Sequence, residues 1–317
     1  MQVTYRPSEL PADLARALRE ESEAQSLYQP THYWQGVYAE LLASLLEGEC
    51  EPTRMRWVNP IYTGTVEPRR DVEELCITVR GNGGRLGHVT EHQRPRAPVG
   101  YYARVRGTSA SKSFRKNLRV FSAFLAAVPV DAGLTVLEVG GGSGALAEIV
   151  LKASPSNRYV GVDLALPAWA AHRHLQEALG PSAVVPFEYG LGDSKLELDT
   201  LLADRRAALL LAAAVPRMRG HCDLFVNVKS FQEMEPDVVA NYARAARRLA
   251  PRWALLLNAR DGVGRDDSRG KPGTLRPVSV ASTLAHFGAS RRIDSPWLAW
   301  RHSDNNQELI LLELHEA

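Results

Sequence analysis

Cysteine is scarce in this chain: Cys50, Cys76 and Cys222 are the only three, and they show no paired spacing. An odd, unpaired set argues against a disulfide framework and a cysteine-bound zinc site, and it fits a reducing compartment. An excess of either charge is also missing. The 38 Lys and Arg against 36 Asp and Glu leave a formal net charge of +2, so no global attraction to nucleic acid is implied. No charge-free apolar run approaches the roughly 20 residues that span a bilayer, and Met1 to Pro7 lacks the apolar core of a signal peptide. The glycine cluster Gly81-Asn82-Gly83-Gly84 lacks the lysine of a phosphate loop and reads as a turn. What remains is a 317-residue chain, 45% hydrophobic, long enough for one α/β domain and an extra segment. A cytoplasmic protein with no nucleic-acid or membrane partner is expected.

The chain is organised around Leu134 to Ala147. Leu134-Thr135-Val136-Leu137-Glu138-Val139 reads as a strand, Gly140-Gly141-Gly142-Ser143-Gly144 as a turn, and the Ala/Leu/Ile-rich stretch to about Ala153 as a helix. Glycines there let the backbone approach a ligand that a Cβ would block, and the helix amides behind them can face polar or anionic groups. Tyr159-Val160-Gly161-Val162-Asp163 reads as a second strand ending in an acid placed to accept from two ribose hydroxyls. Together the two signals point to a nucleoside-containing cofactor.

The glycines fit both the dinucleotide pattern G-x-G-x-x-G/A and the acidic-x-Gly-x-Gly-x-Gly pattern of class I S-adenosylmethionine methyltransferases. Glu138 separates the two. A carboxylate beside a pyrophosphate is unfavourable, whereas an acid one residue before the strand end suits the amino-acid end of S-adenosylmethionine. Glu138, Gly140, Gly142, Asp163 and Leu164 are therefore the first cofactor-binding candidates.

The flanking segments give the rest of the pattern. Residues 8 to 25 read as a helix, and Thr31 to Leu46 as a second one with an aromatic and aliphatic stripe. Tyr33 and Trp34 in that stripe are candidates for shaping a substrate pocket. Between Glu91 and Asp131 there is no acid, while Lys112, Arg115, Lys116 and Arg119 fall among eight basic residues. That run reads either as an anion-receiving surface or, preferably, as a solvated helix face, because Phe114, Leu118, Phe121 and Leu125 repeat beneath it. His172 and His174 are two apart, unlike the i, i+4 zinc pair, and read as surface histidines.

From Thr135 onward strands and helices alternate as in a doubly wound parallel sheet. Val184 to Tyr189 is expected as the third strand, which makes Asp193 the candidate acceptor for an adenine amino group. Asp223 to Val228 is the fourth strand, followed by a helix to about Ala250, and Trp253 to Asn258 is the fifth. Ligands of such sheets lie outside the carboxyl ends of the strands, so Asn227, Ser230, Gln232, Glu233, Asn258, Arg260 and Asp261 are expected to line a pocket. Asn227 joins the cofactor set, and Ser230, Gln232, Arg260 and Asp261 the substrate set. Asp261, Asp266 and Asp267 in a glycine-rich loop read as solvated rather than metal-binding. The chain closes with a helix near Val278 to Phe287 and strands near Arg291 to Trp297 and Glu308 to Leu314, joined by the polar turn His302 to Asn306.

Val136 to Gly144, Gly161 to Pro167 and the run Phe225-Val226-Asn227-Val228-Lys229-Ser230-Phe231-Gln232-Glu233-Met234 resemble the sugar O-methyltransferase family, which follows its fourth strand with a similar Asn-x-x-Ser-Phe-x-Glu-Met run. The resemblance covers roughly residues 115 to 315. It implies an α/β fold: a doubly wound, Rossmann-like, seven-stranded methyltransferase sheet with a terminal antiparallel hairpin. Residues 111–317 are expected to form that domain, and residues 1–110 a helical or irregular lid or substrate-shaping region. It further implies S-adenosyl-L-methionine as cofactor and a hydroxylated small molecule as acceptor, in specialised-metabolite or glycan biosynthesis. Glu233 or His302 would be the general base. The competing activity on the same fold is a non-methylating cyclisation or rearrangement, and a homodimer is the assembly allowed for.

Overall fold

In the computed structural model the described residues are 10–31, 34–35, 112–130, 133–265, 273–298 and 306–315. Tyr33, His302, Asp266, Asp267 and most of the expected 1–110 region lie outside them. The centre of the sheet is Thr135–Val139 (β1), whose four last residues are buried. It pairs in parallel with Arg158–Asp163 (β2), Glu138 lying opposite Gly161, and β2 pairs in parallel with Ala207–Leu211 (β3). On its other side β1 pairs with Leu224–Val228 (β4), and β4 with Trp253–Ala259 (β5), again in parallel. Ser290–Arg292 (β6) and Gln307–Leu314 (β7) complete the sheet, β7 running antiparallel to both β5 and β6.

The resulting order, β3-β2-β1-β4-β5-β7-β6, is that of the class I methyltransferase sheet with its terminal antiparallel hairpin. The winding reverses between β1 and β4, so their carboxyl ends diverge there and leave a crevice.

Every strand of the central five is buried along nearly its whole length, because helices cover both faces. Ala12–Glu23 (α1), Lys112–Ala127 (α2), Ala145–Ala153 (α3) and Ala165–Leu179 (α4) share one core with Val136, Leu209, Val226 and Leu255. Pro236–Arg248 (α5) and Val280–Ala285 (α6) share the other with Leu137, Leu210, Phe225 and Leu256. α1 is pinned to α4 by its acids: Glu21 accepts the Ala165 amide at 2.7 Å and Asp13 the Trp169 indole N–H at 2.9 Å.

Two expectations need correction. Val184 to Tyr189 is not a strand: Val184 alone bridges to Ala207, and Phe187–Gly190 is a 3-10 turn entered through Pro186. Proline has no N–H to give a ladder. The true third strand, Ala-Ala-Leu-Leu-Leu, has no β-branched residue and no alternation, because both of its faces are covered and only burial makes it a strand. His172 and His174 are buried, not on the surface. His174 Nε2 lies 2.9 Å from the Glu148 carboxylate and His172 Nε2 lies 3.0 Å from the Val185 carbonyl, so each has a polar partner that makes burial tolerable.

Candidate functional site

At the carboxyl end of β1 the chain turns through Gly140, Gly142 and Gly144, with φ of +75°, +57° and +75°. Two of these glycines are required for different reasons. A Cβ on Gly140 would lie 1.9 Å from the Ser230 hydroxyl, so Ser230 can pack onto the turn only because Gly140 has none. A Cβ on Gly142 would meet no atom within 4 Å, because Gly142 faces a cavity of about 220 Å³.

The turn is tied to β2 through Asp163. One carboxylate oxygen accepts the Gly142 amide at 2.7 Å and the other the Leu164 amide at 2.8 Å. Burial still pushes the Asp163 carboxyl up to about 6, against the two amides that hold it down. Each oxygen accepts one amide and has a second lone pair. Glu138 lies behind the glycines, 2% exposed, where a Cβ on Gly141 would sit 3.0 Å from its carboxylate. Burial pushes Glu138 up to about 7, opposed by the hydrogen bond that the Tyr159 hydroxyl donates to it.

The far wall comes from the segment after β4 and from two elements remote in sequence. Lys229 holds a left-handed backbone, φ +67°, with its amide bonded to the Leu257 carbonyl at 2.7 Å. The strain of a non-glycine residue there is sustained by β5 and directs the following residues, Ser230 to Glu233, over the crevice. Burial pushes Glu233 up to about 8, with Lys116 opposing, Asp163 adding, and a hydrogen bond from Trp34 and the charge of Lys229 opposing. Lys116, on α2, is pushed down to about 8 by burial and by Lys229. The N-terminal segment closes this side: the Thr31 hydroxyl donates to the Glu233 carbonyl at 2.9 Å.

Of the residues expected from sequence, Gly140, Gly142, Asp163, Leu164, Ser230, Glu233 and Trp34 all line this one cavity. The others are placed elsewhere. Asp193 is exposed, past the 3-10 turn rather than past β3. The segment that does follow β3, Ala212–Arg217, contains no acid. Asn227 is fully buried and spent on the protein: it donates to the Val139 carbonyl at 2.9 Å and accepts from the Phe231 amide and the Asn258 side chain, both at 3.0 Å. Gln232 accepts the Ala259 amide at 2.8 Å. These amides stitch the ends of β1, β4 and β5 together, which places the cavity wall without entering it. Arg260 and Asp261 are exposed, beside Glu308 at 3.6 Å and Asn306 at 2.5 Å.

Lys116, Lys229, Thr31 and Tyr242 line the cavity and were missed. Lys116 carried a signal, since it belongs to the acid-free basic run. Lys229 carried one too, immediately before Ser230 in the run that follows β4. Tyr242 sits in an ordinary amphipathic helix pattern and gave none.

No protein-family model and no curated protein matches the chain. Among solved structures it is similar to mitomycin 7-O-methyltransferase MmcR, with 15% identity over 88% of this chain and 75% of that one and a TM-score of 0.43. It is also similar to magnesium protoporphyrin IX methyltransferase ChlM from Synechocystis PCC 6803 with bound SAM, with 14% identity over 68% and 91% of the two chains and a TM-score of 0.39. The PH0226 protein from Pyrococcus horikoshii OT3 shows 10% identity over 68% and 99%, with a TM-score of 0.42.

Proposed function

We propose that this chain is an S-adenosylmethionine-dependent methyltransferase whose acceptor is a hydroxyl of a sugar or other polyhydroxylated small molecule. The observation that carries the reading is the pairing of Gly142 with Asp163. A positive-φ glycine with open space where a Cβ would stand is tied by its own amide to a carboxylate that lines the same cavity, each oxygen of which holds a single backbone amide. A ribose diol offers each oxygen a second donor, and the bare glycine backbone lets the nucleoside close against it. Glu138 lies behind the turn at the amino-acid end, and Val139, Val162, Leu164 and Val228 give the cavity apolar walls. The sugar as acceptor rests on the resemblance of the Asn227 to Met234 run.

When bound, the cofactor supplies a methyl group on a sulfonium, a carbon open to in-line attack. Glu233 accepts the proton of the acceptor hydroxyl. Its carboxyl, pushed up to about 8, lies close to neutral working pH, where a general base is most effective. Lys116 and Lys229 favour its ionised form, and Trp34 orients it through the indole N–H. Thr31 and Trp34 hold the N-terminal segment against the cavity and restrict water beside that proton.

Calorimetric titration with S-adenosylmethionine and S-adenosylhomocysteine tests the reading, with Asp163→Ala beside the wild type. Micromolar binding lost in the variant is expected. A wild type that binds neither would sink it. Release of S-adenosylhomocysteine on turnover separates methyl transfer from cyclisation or rearrangement.

A further inference from the structure

We infer that Gln29, on the N-terminal segment, reads the adenine amino group of the bound nucleoside in place of the acid expected after the third strand. This deepens the cofactor reading and rests on it. Adenine presents a donor at its exocyclic amine, so a site that selects it places an acceptor there. The sheet offers no acid at the expected place: Asp193 is exposed, and Ala212–Arg217, which follows β3, contains none. The N-terminal segment reaches the cavity from outside the sheet. Its turn Ser26–Tyr28 is anchored on α5, where the Tyr28 ring meets the Tyr242 ring edge-on at 6.1 Å and the Tyr28 hydroxyl donates to Asn241 Oδ1 at 3.5 Å. Three residues on, the Thr31 hydroxyl donates to the Glu233 carbonyl.

Gln29 lies between these two anchors and lines the cavity with Val162, Val238 and Tyr242, an apolar lining that fits the faces of a purine. Val162 directly precedes Asp163 on β2, so a ribose held by Asp163 brings its base within reach of this lining. The rest of the segment fixes which end of the Gln29 amide a ligand meets. The amide nitrogen donates to the Ala24 carbonyl at 2.8 Å and to the Ser22 carbonyl at 3.1 Å. Carbonyl oxygens only accept, so the nitrogen and not the oxygen must face them. Both carbonyls belong to the C-terminal end of α1, where helix carbonyls lack intrahelical partners. With the nitrogen spent there, Oε1 is the end left to accept from an amine. Hypoxanthine, with a carbonyl where adenine has its amine, would set two acceptors against each other.

Calorimetry on wild type, Gln29→Met and Gln29→Lys tests this, using S-adenosylhomocysteine and S-inosylhomocysteine, the same ligand with hypoxanthine as its base. Methionine fills the space with neither donor nor acceptor. Lysine keeps donors for the α1 carbonyls and lacks the acceptor. The wild type should prefer the adenine ligand. In both variants S-adenosylhomocysteine should weaken roughly fivefold to hundredfold, while S-inosylhomocysteine weakens less than about twofold, so that the preference for adenine narrows or disappears.

The inference is overturned if the two ligands weaken equally, which marks Gln29 as a prop for the end of α1. It is also overturned if Gln29→Lys binds S-adenosylhomocysteine as the wild type does, or if the wild type binds both ligands without preference. A wild type that binds neither refutes the cofactor reading, and this inference with it. Should Gln29→Met not fold, Gln29→Lys carries the comparison.

Discussion

Gly142→Ala, measured against Gly288→Ala, isolates what the glycine turn does for a ligand from what it does for the fold. Both glycines have positive φ, +57° and +68°, and a Cβ on either meets nothing within 4 Å. The folding penalty is therefore the same in kind: a left-handed alanine costs about 1–2 kcal/mol, or a few degrees in melting temperature for a chain of this size. Only Gly142 lines the cavity. A methyl group there occupies space the nucleoside must enter, and forcing one extra methyl into a packed contact costs about 1–3 kcal/mol, which is about tenfold to hundredfold in affinity. Differential scanning fluorimetry should thus show similar melting losses for the two variants, and calorimetry with S-adenosylhomocysteine a loss for Gly142→Ala alone. Equal affinities in the two variants would refute the placement of the cofactor against this turn. A far larger melting loss in Gly142→Ala would refute the claim that its Cβ finds open space.

The buried acids and amides make further expectations. Glu138 has its folded pKa raised from 4.5 to about 7, so its contribution to stability is complete below about pH 4.5 and is lost as pH rises through about 7. Melting temperature recorded across that window should fall less steeply in Glu138→Gln than in the wild type. Turnover should rise with pH through about 8 as Glu233 ionises. Trp34→Phe removes a hydrogen bond that holds that value down, and should move the midpoint of the pH–rate profile upward. Asn227→Ala strands the Val139 carbonyl, the Phe231 amide and the Asn258 side chain in the interior. Urea denaturation should show a loss of roughly 3 kcal/mol or more.

The parts of this molecule that were legible in its sequence are those where local chemistry is distinctive. The strand, glycine turn and helix from Thr135 to Ala153 appear at the expected boundaries, because β-branched residues, left-handed glycines and an alanine-rich helix leave few alternatives. β3 was not legible, since Ala-Ala-Leu-Leu-Leu carries helix-forming residues and becomes a strand only between β2 and a helical cover. That single misplacement carried Asp193 with it. Asn227 was assigned to a ligand because a polar residue at a strand end looks available. Its three partners come from β1, β5 and the turn after β4, and no linear pattern announces them. Lys116 was read as a solvated face because helical periodicity says which face is apolar, not whether the opposite face meets water or a cavity.

The docking of α1 on α4 has a consequence for the order in which this molecule can be completed. The Ala165 amide that Glu21 accepts is 144 residues further along the chain, and the Glu233 carbonyl that Thr31 holds is 202 residues away. Synthesis delivers the N-terminal wall before the seat it rests on. Leu14, Ala17 and Leu18, buried in the finished domain, have no surface to settle on until α4 has emerged from the ribosome. The cavity is thus closed by residues that precede most of its walls in the chain.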